Sequence, residues 1–219
     1  MSEDRSTPNP LRCLIKPMDT LSKVDERDLW IGFIIVLIIA SLASIARYNY
    51  AMKLPIEIPE FLQRPGSRVD PEAFKRNIAY FQAFGEGAAV FFNWILTSIL
   101  VHLYTKALGG RGSLRGMLAK AGFASMPLTI QQILRLMDAC TISREELLEL
   151  IASLQGWTPQ PFIHLNLFLL WTLILLIIAA SINYETSKKR AAASTLLAYL
   201  TLMLIPLLFS PRAIMTASL

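Results

Sequence analysis

At 219 residues, 54% hydrophobic and only 17% charged, the chain has too few polar side chains to coat a soluble domain. In a soluble protein a net charge of +5 would suggest nucleic acid as a partner. Here the apolar residues are gathered in long runs, and Lys and Arg in loops facing anionic lipid account for the charge.

A membrane-spanning helix takes roughly 20 apolar residues. Five stretches meet that measure, at about 29–46, 84–104, 117–137, 162–182 and 191–209. They predict a single all-α membrane domain of five transmembrane helices, with amphipathic surface helices at the N-terminus and in the external loops.

Residues 1–10 read as a flexible tail. From Leu11 to Leu21 basic and apolar residues alternate and Pro17 interrupts them. This predicts a short helix, a proline turn and a second helix starting near Asp19, resting on the cytoplasmic leaflet. The first apolar run is expected to stay as a span rather than be cleaved as a signal. It is preceded by 28 residues of polar character and followed by no small-residue cleavage site. Trp30 at its start and Tyr48 and Tyr50 beyond its end suit the headgroup levels. In the next loop, Pro55, Pro59 and Pro65 predict extended chain, and Asp70-Pro71 predicts a capped helix over 72–81.

In the second run Glu86, Asn93, Thr97 and Tyr104 are separated by 7, 4 and 7 residues. At helical spacing they share a stripe of roughly 40°, which Gln131, Gln132 and Asn166 from other runs are placed to face. The stripe reads in two ways, as hydrogen bonding that fixes the bundle or as a polar pathway for an ion or lipid headgroup. The turn Leu108-Gly109-Gly110-Arg111-Gly112-Ser113-Leu114-Arg115 follows. Its glycines permit a tight reversal, Ser113 suits a helix N-cap, and Arg111 and Arg115 suit a phosphate headgroup or simple cytoplasmic anchoring. In the third run Gly116 and Gly122 offer surfaces for close packing. Pro127 is expected to kink the helix and free a carbonyl that Thr129, Gln131 or Gln132 would meet. Ser143-Arg144-Glu145-Glu146 matches a capping box before an apolar face of Leu147, Leu150, Ile151 and Leu154. A surface helix follows from it.

For five spans, Arg5, Arg12, Lys16, Lys23, Arg27, Lys106, Arg111, Arg115, Lys120, Lys188, Lys189 and Arg190 fall on the N-terminal side, twelve positive charges against nine. That bias predicts a cytoplasmic N-terminus and an external C-terminal tail, 211–219. Four spans give the same count, but they would leave 117–137 in water.

The Gly109–Ser113 turn, followed by Gly122-Phe123 ahead of Pro127, resembles the central signature of the Yip-domain family of Ypt/Rab-interacting membrane proteins. Leu14-Ile15-Lys16-Pro17-Met18-Asp19-Thr20-Leu21, Trp171 and Lys188-Lys189-Arg190-Ala191 are similar to further family segments. The resemblance covers about 11–210 and implies five spans with a cytoplasmic N-terminus. The short N-terminal region is like that of prokaryotic members, so a prokaryotic cell membrane is the expected location and Rab binding is not carried over.

Chemistry has little foothold. His102 and His164 have no metal-site spacing partner, Cys13 and Cys140 form no redox or metal pair, and no nucleophile or phosphate-loop motif is present. The expectation is a non-enzymatic membrane-organising or adaptor protein without cofactor or metal. Its expected partners are the bilayer and its anionic lipids, other membrane proteins and further copies of itself, but not nucleic acid. The alternative is a small transporter or lipid scramblase built on the polar stripe.

Overall fold

A computed structural model describes residues 7–55, 70–154 and 167–208. The regular elements among these residues are helical. Two of them, Glu26–Lys53 and Pro71–Ala107, are long and apolar enough to cross a membrane. The described residues fall into two compact units, one drawing on those within Met1–Val36, Phe92–Leu128 and Pro161–Leu219, the other on those within Leu37–Phe91 and Thr129–Gln160.

The first unit begins with a short 3-10 turn, Pro10–Leu14, whose start is capped when Leu11 N–H donates to Asn9 Oδ1 at 3.0 Å. Pro17 opens α1, Pro17–Lys23, because a first-turn position needs no N–H donor. The helix therefore starts two residues before Asp19. Asp25 and Asp28 then form a reciprocal capping box around a second 3-10 turn, with Arg27 N–H to Asp25 at 2.7 Å and Asp25 N–H to Asp28 at 2.9 Å. That box launches α2, Leu29–Lys53. Further along the chain come the end of α3 (Pro71–Ala107), then α4 (Leu114–Ala124), α7 (Leu167–Asn183) and α8 (Lys188–Leu208). The N-terminal turns and α1 pack on α4 and α7, and α7 packs on α4 and α8.

The crossing of α2 and α4 is closed by glycine against glycine. A side chain on Gly122 would strike the backbone of Gly32, and one on Gly32 would come within 2.9 Å of the Ala119 carbonyl. Such small-residue contacts let two backbones meet where apolar side chains gain nothing over lipid.

Along α2, Ile35, Val36, Ile39, Ala40, Ala43 and Ala46 are buried, while Phe33, Ile34, Leu37, Ile38 and Ile45 are exposed. A helix that is apolar on its covered and uncovered faces alike suits hydrocarbon surroundings.

The second unit combines the rest of α2 with the start of α3, α5 (Met126–Thr141, from Thr129 onward) and α6 (Arg144–Leu154). Gly87 fits against Ser44 and the Ala40 carbonyl. Lys53 Nζ donates to the carbonyls of Ala139 at 2.8 Å and Ile142 at 2.6 Å, so a cation closes the C-terminal end of α5. Tyr50 donates to Asp138 at 2.5 Å. The Ser143–Glu146 capping box forms at the start of α6, with Glu146 N–H to Ser143 Oγ at 3.1 Å and Ser143 N–H to Glu146 at 2.8 Å.

Two elements differ from expectation. The surface helix foreseen after Pro71 and the second apolar run are one continuous helix of 37 residues, α3. Asp70 caps its first turn and no proline follows. The third run is two helices, α4 and α5, divided at Ser125, instead of one kinked helix. Ser125 leaves the helix with ψ −2°, and Pro127 takes an early position in α5, where its missing N–H costs nothing. The two helices have 11 and 16 residues. Asn166 and His164 lie outside the described residues.

Candidate functional site

The glycine-rich turn lies in the first unit and is fitted against the α7–α8 connection. Helix α3 ends with Gly109 at φ +89°, the left-handed conformation that terminates helices and that side-chain-bearing residues resist. Gly109 N–H reaches Lys106 O at 3.0 Å and Gly110 N–H reaches Thr105 O at 2.9 Å, which satisfies carbonyls the helix end leaves open. Beyond it the chain runs against Asn183 and Tyr184. Arg111 N–H donates to Tyr184 O at 3.2 Å, and Asn183 Nδ2 donates to Ser113 O at 2.9 Å. Any side chain on Gly112 would collide with the Asn183 carbonyl.

Ser113 caps α4, accepting from Gly116 N–H at 3.0 Å, and its hydroxyl donates to Glu26. Arg190 Nη1 reaches the Leu108 carbonyl at 3.4 Å. Below the turn, the buried Tyr184 hydroxyl meets His102 Nδ1 at 2.7 Å, and burial pushes the Tyr184 phenol above its ordinary range.

What this framework presents outward is mainly cationic, with Glu26 and Glu185 as its exposed acids. Lys106, Arg111, Arg115, Lys188, Lys189 and Arg190 are all exposed. They come from the end of α3, the Gly-rich turn, the start of α4 and the start of α8. The arrangement supplies charge-assisted donors to phosphate or carboxylate groups. Among the described residues no group of three or more His, Cys, Asp or Glu is placed to hold a metal.

The signature positions beyond the turn lie in the helices. Gly122 makes the contact with Gly32, Phe123 is fully buried, and Pro127 is at the start of α5. The polar stripe of α3 is divided between the units, with Asn93, Thr97 and Tyr104 in the first and Glu86, Gln131 and Gln132 in the second. In the first unit Thr97 donates to Asn93 Oδ1 at 3.1 Å, and the Tyr104 hydroxyl meets Thr201 at 2.7 Å. In the second, Arg135 pairs with Glu86 at 2.6 Å, Gln131 is half-buried, and buried Gln132 has no partner for Oε1 among the described residues.

Sequence reasoning missed several residues on which the turn depends. Asn183 and Tyr184 carry no motif and stand out only once the turn is seen against them. Lys120 was detectable, because it lies inside an apolar run where an ionisable side chain is costly. Counting it among the loop charges hides that signal. In the structure Lys120 is buried and its Nζ donates to the Val24 carbonyl at 2.7 Å.

Together these features define a helical, membrane-associated protein with a basic, glycine-built turn. The profile of the Yip1 domain matches residues 11–210, and the chain belongs to the Yip1 domain family. Comparison with curated proteins and with solved structures finds no match in either. The family is a membrane-associated, trafficking-type one and is not known for enzymatic activity.

Proposed function

We propose that this protein is a non-enzymatic membrane organiser or adaptor. It crosses a prokaryotic cell membrane five times, with a cytoplasmic N-terminus and an external C-terminus. On this reading α2 and α3 are the first two spans, α4 and α5 together make a broken third, and α7 and α8 belong to the fourth and fifth. A broken span is tolerated where neighbouring helices and side chains meet the freed backbone groups. The working surface is the cationic platform of Arg111, Arg115 and Lys188–Arg190, which takes acidic segments of other membrane proteins or anionic lipid headgroups.

The single observation that carries this reading is how the turn is built. Backbone packing against Asn183 and Tyr184 fixes its shape and leaves the Arg111 and Arg115 side chains exposed, while Arg190 also reaches back to the Leu108 carbonyl. Cross-linking in native membranes, followed by mass spectrometry, tests it. The wild type is expected to yield a stoichiometric partner or lipid adduct mapping to 108–115, and Arg111→Glu/Arg115→Glu to lose it while remaining folded. Unchanged capture by the double variant overturns the assignment of this surface.

A second reading, transport or lipid scrambling, draws on the second unit, where the buried acceptors Gln82 Oε1, Thr129 Oγ1 and Gln132 Oε1 have no partners among the described residues. The Arg135 partnership of Glu86 weighs against it, because the one acidic group of the stripe is already neutralised. Liposomes containing the purified protein that move neither labelled lipid nor ions exclude its simplest form.

A further inference from the structure

The N-terminal segment ahead of α2 has two faces of opposite character. Cys13, Thr20, Leu21 and Val24 are buried. On the other side Ile15 is 83% exposed, Leu11 64% and Met18 51%, an uncovered apolar strip flanked by exposed Arg12 and Lys16. Between residues 7 and 23 there are three basic side chains, Arg12, Lys16 and Lys23, against one acid, Asp19. In water such a strip would be a liability, since three large apolar side chains stay solvated while a segment of only two short helical pieces is held rigid.

The depth of the strip follows from its docking. One turn of α4, residues 119–122, touches two different parts of the chain. Lys120 holds the Val24 carbonyl, while Ala119 and Gly122 lie against Gly32 in the first turn of α2. Val24 is thus tethered by a lysine side chain to the same turn of α4 that meets Gly32, two residues past Trp30, whose ring is itself exposed. An amphipathic ring at the start of an apolar helix belongs at the headgroup level. The docked segment is therefore held where hydrocarbon begins.

We propose that the strip Leu11, Ile15 and Met18 is a membrane-seated foot, inserted among the acyl chains of the leaflet on the side of the Gly-rich turn, with Arg12 and Lys16 on anionic phosphates. Its occupant is the lipid leaflet. The surface is separate from Arg111 and Arg115, so this inference survives or fails independently of the adaptor reading. Through the Lys120–Val24 and Ser113–Glu26 contacts the foot is tied to α4, and lipid seating of one supports the position of the other.

Variants with one accessible cysteine, at Leu11, Ile15 or Met18, with Glu185→Cys in the exposed α7–α8 connection as an aqueous control, test this in a Cys140→Ser background. Native Cys13 is buried and its thiol is pushed up to about 12, so it stays unlabelled at neutral pH. Each variant carries a small fluorophore and is reconstituted in vesicles of brominated lipid, either anionic or zwitterionic. Interfacial helices sink to about 5–10 Å, so brominated anionic lipid is expected to quench the three foot labels about twofold or more relative to Glu185→Cys. Aqueous iodide should show the reverse order. In the same vesicles, Arg12→Glu/Lys16→Glu should lower the quenching to its zwitterionic-lipid level. Foot labels as open to iodide as the control overturn the proposal. So does protection seen only in native membranes, since a protein partner then covers the strip. Equal quenching in anionic and zwitterionic vesicles removes the phosphate contact.

Discussion

The ends of helices are secured by a different balance of contacts in the two units, although side chains also act in the first, where Asn183 Nδ2 holds the Ser113 carbonyl and Arg190 reaches that of Leu108. In the first, the α3–α4 and α7–α8 connections meet backbone to backbone, with Gly112 against Asn183 and Arg111 N–H on Tyr184 O. In the second, reaching side chains do the work, as Lys53 grips the end of α5, Tyr50 donates to Asp138, and Arg135 pairs with Glu86. Backbone packing tolerates no added atom and ignores salt and pH. Charged contacts tolerate changes of shape and respond to both. The basic platform stands on the first kind of support, which suits a surface that must keep its shape while its charges are occupied by a partner.

Breaking the backbone contact is expected to have the largest effect. Gly122→Leu forces atoms into the Gly32 backbone, and neither helix has a flexible side chain there to yield. Overpacking of a tight site costs roughly 1–3 kcal/mol, with about 3 expected where backbone itself is in the way. The variant should fail to survive heating in mild detergent at temperatures where the wild type stays monodisperse by size exclusion. A Gly122→Leu protein as heat-stable as the wild type would mean that α2 and α4 do not meet as closely as this.

The side-chain contact should be weaker and, unlike the glycine crossing, repairable. Arg135→Ala leaves Glu86 without its partner. Loss of one member of a fully buried pair costs about 3–5 kcal/mol, but both side chains here keep about a third of their surface exposed, at 31% and 33%. After that discount about 1 kcal/mol is expected. Glu86→Gln added to Arg135→Ala should recover most of it, which the midpoint of thermal unfolding in detergent would report. If the double variant is no better than Arg135→Ala alone, the loss is one of packing.

These contacts also show what the sequence made legible. The caps at Ser113, Asp70 and Ser143–Glu146 were readable because each rests on a local residue pattern that closes its own hydrogen bonds. The reason for Gly112 was not, because it depends on Asn183, about 70 residues away, whose carbonyl occupies the space a side chain would need. Pro127 was readable as a disruption but not as a clean division, which depends on Ser125 leaving the helix first. Lys120 escapes notice because charge counting treats every cation near a turn alike, whereas burial and a carbonyl partner distinguish this one. In the polar stripe, spacing along α3 gave its face but not the partners, Arg135 and Thr201, which belong to distant helices.

The smallest expected effect belongs to the capping box of α6, the most exposed of the charged contacts. Hydrogen bonds from the Ser143 backbone and hydroxyl hold the Glu146 carboxyl below its ordinary value of 4.5. A carboxyl depressed on folding binds protons more readily when its helix unravels. The box therefore contributes fully above pH 4.5 and is lost as pH falls through the lower, folded value. Hydrogen exchange at the first turn of α6 should quicken in that acid window, once corrected for its intrinsic pH dependence, while exchange at Arg190, capped at the start of α8 by the neutral Ser187 hydroxyl, should not. Glu146→Gln keeps a capping side chain without the charge and should flatten the difference. If both helix starts loosen together in acid, the cause is a wider change in the protein, and the contrast between charged and backbone supports does not extend to α6.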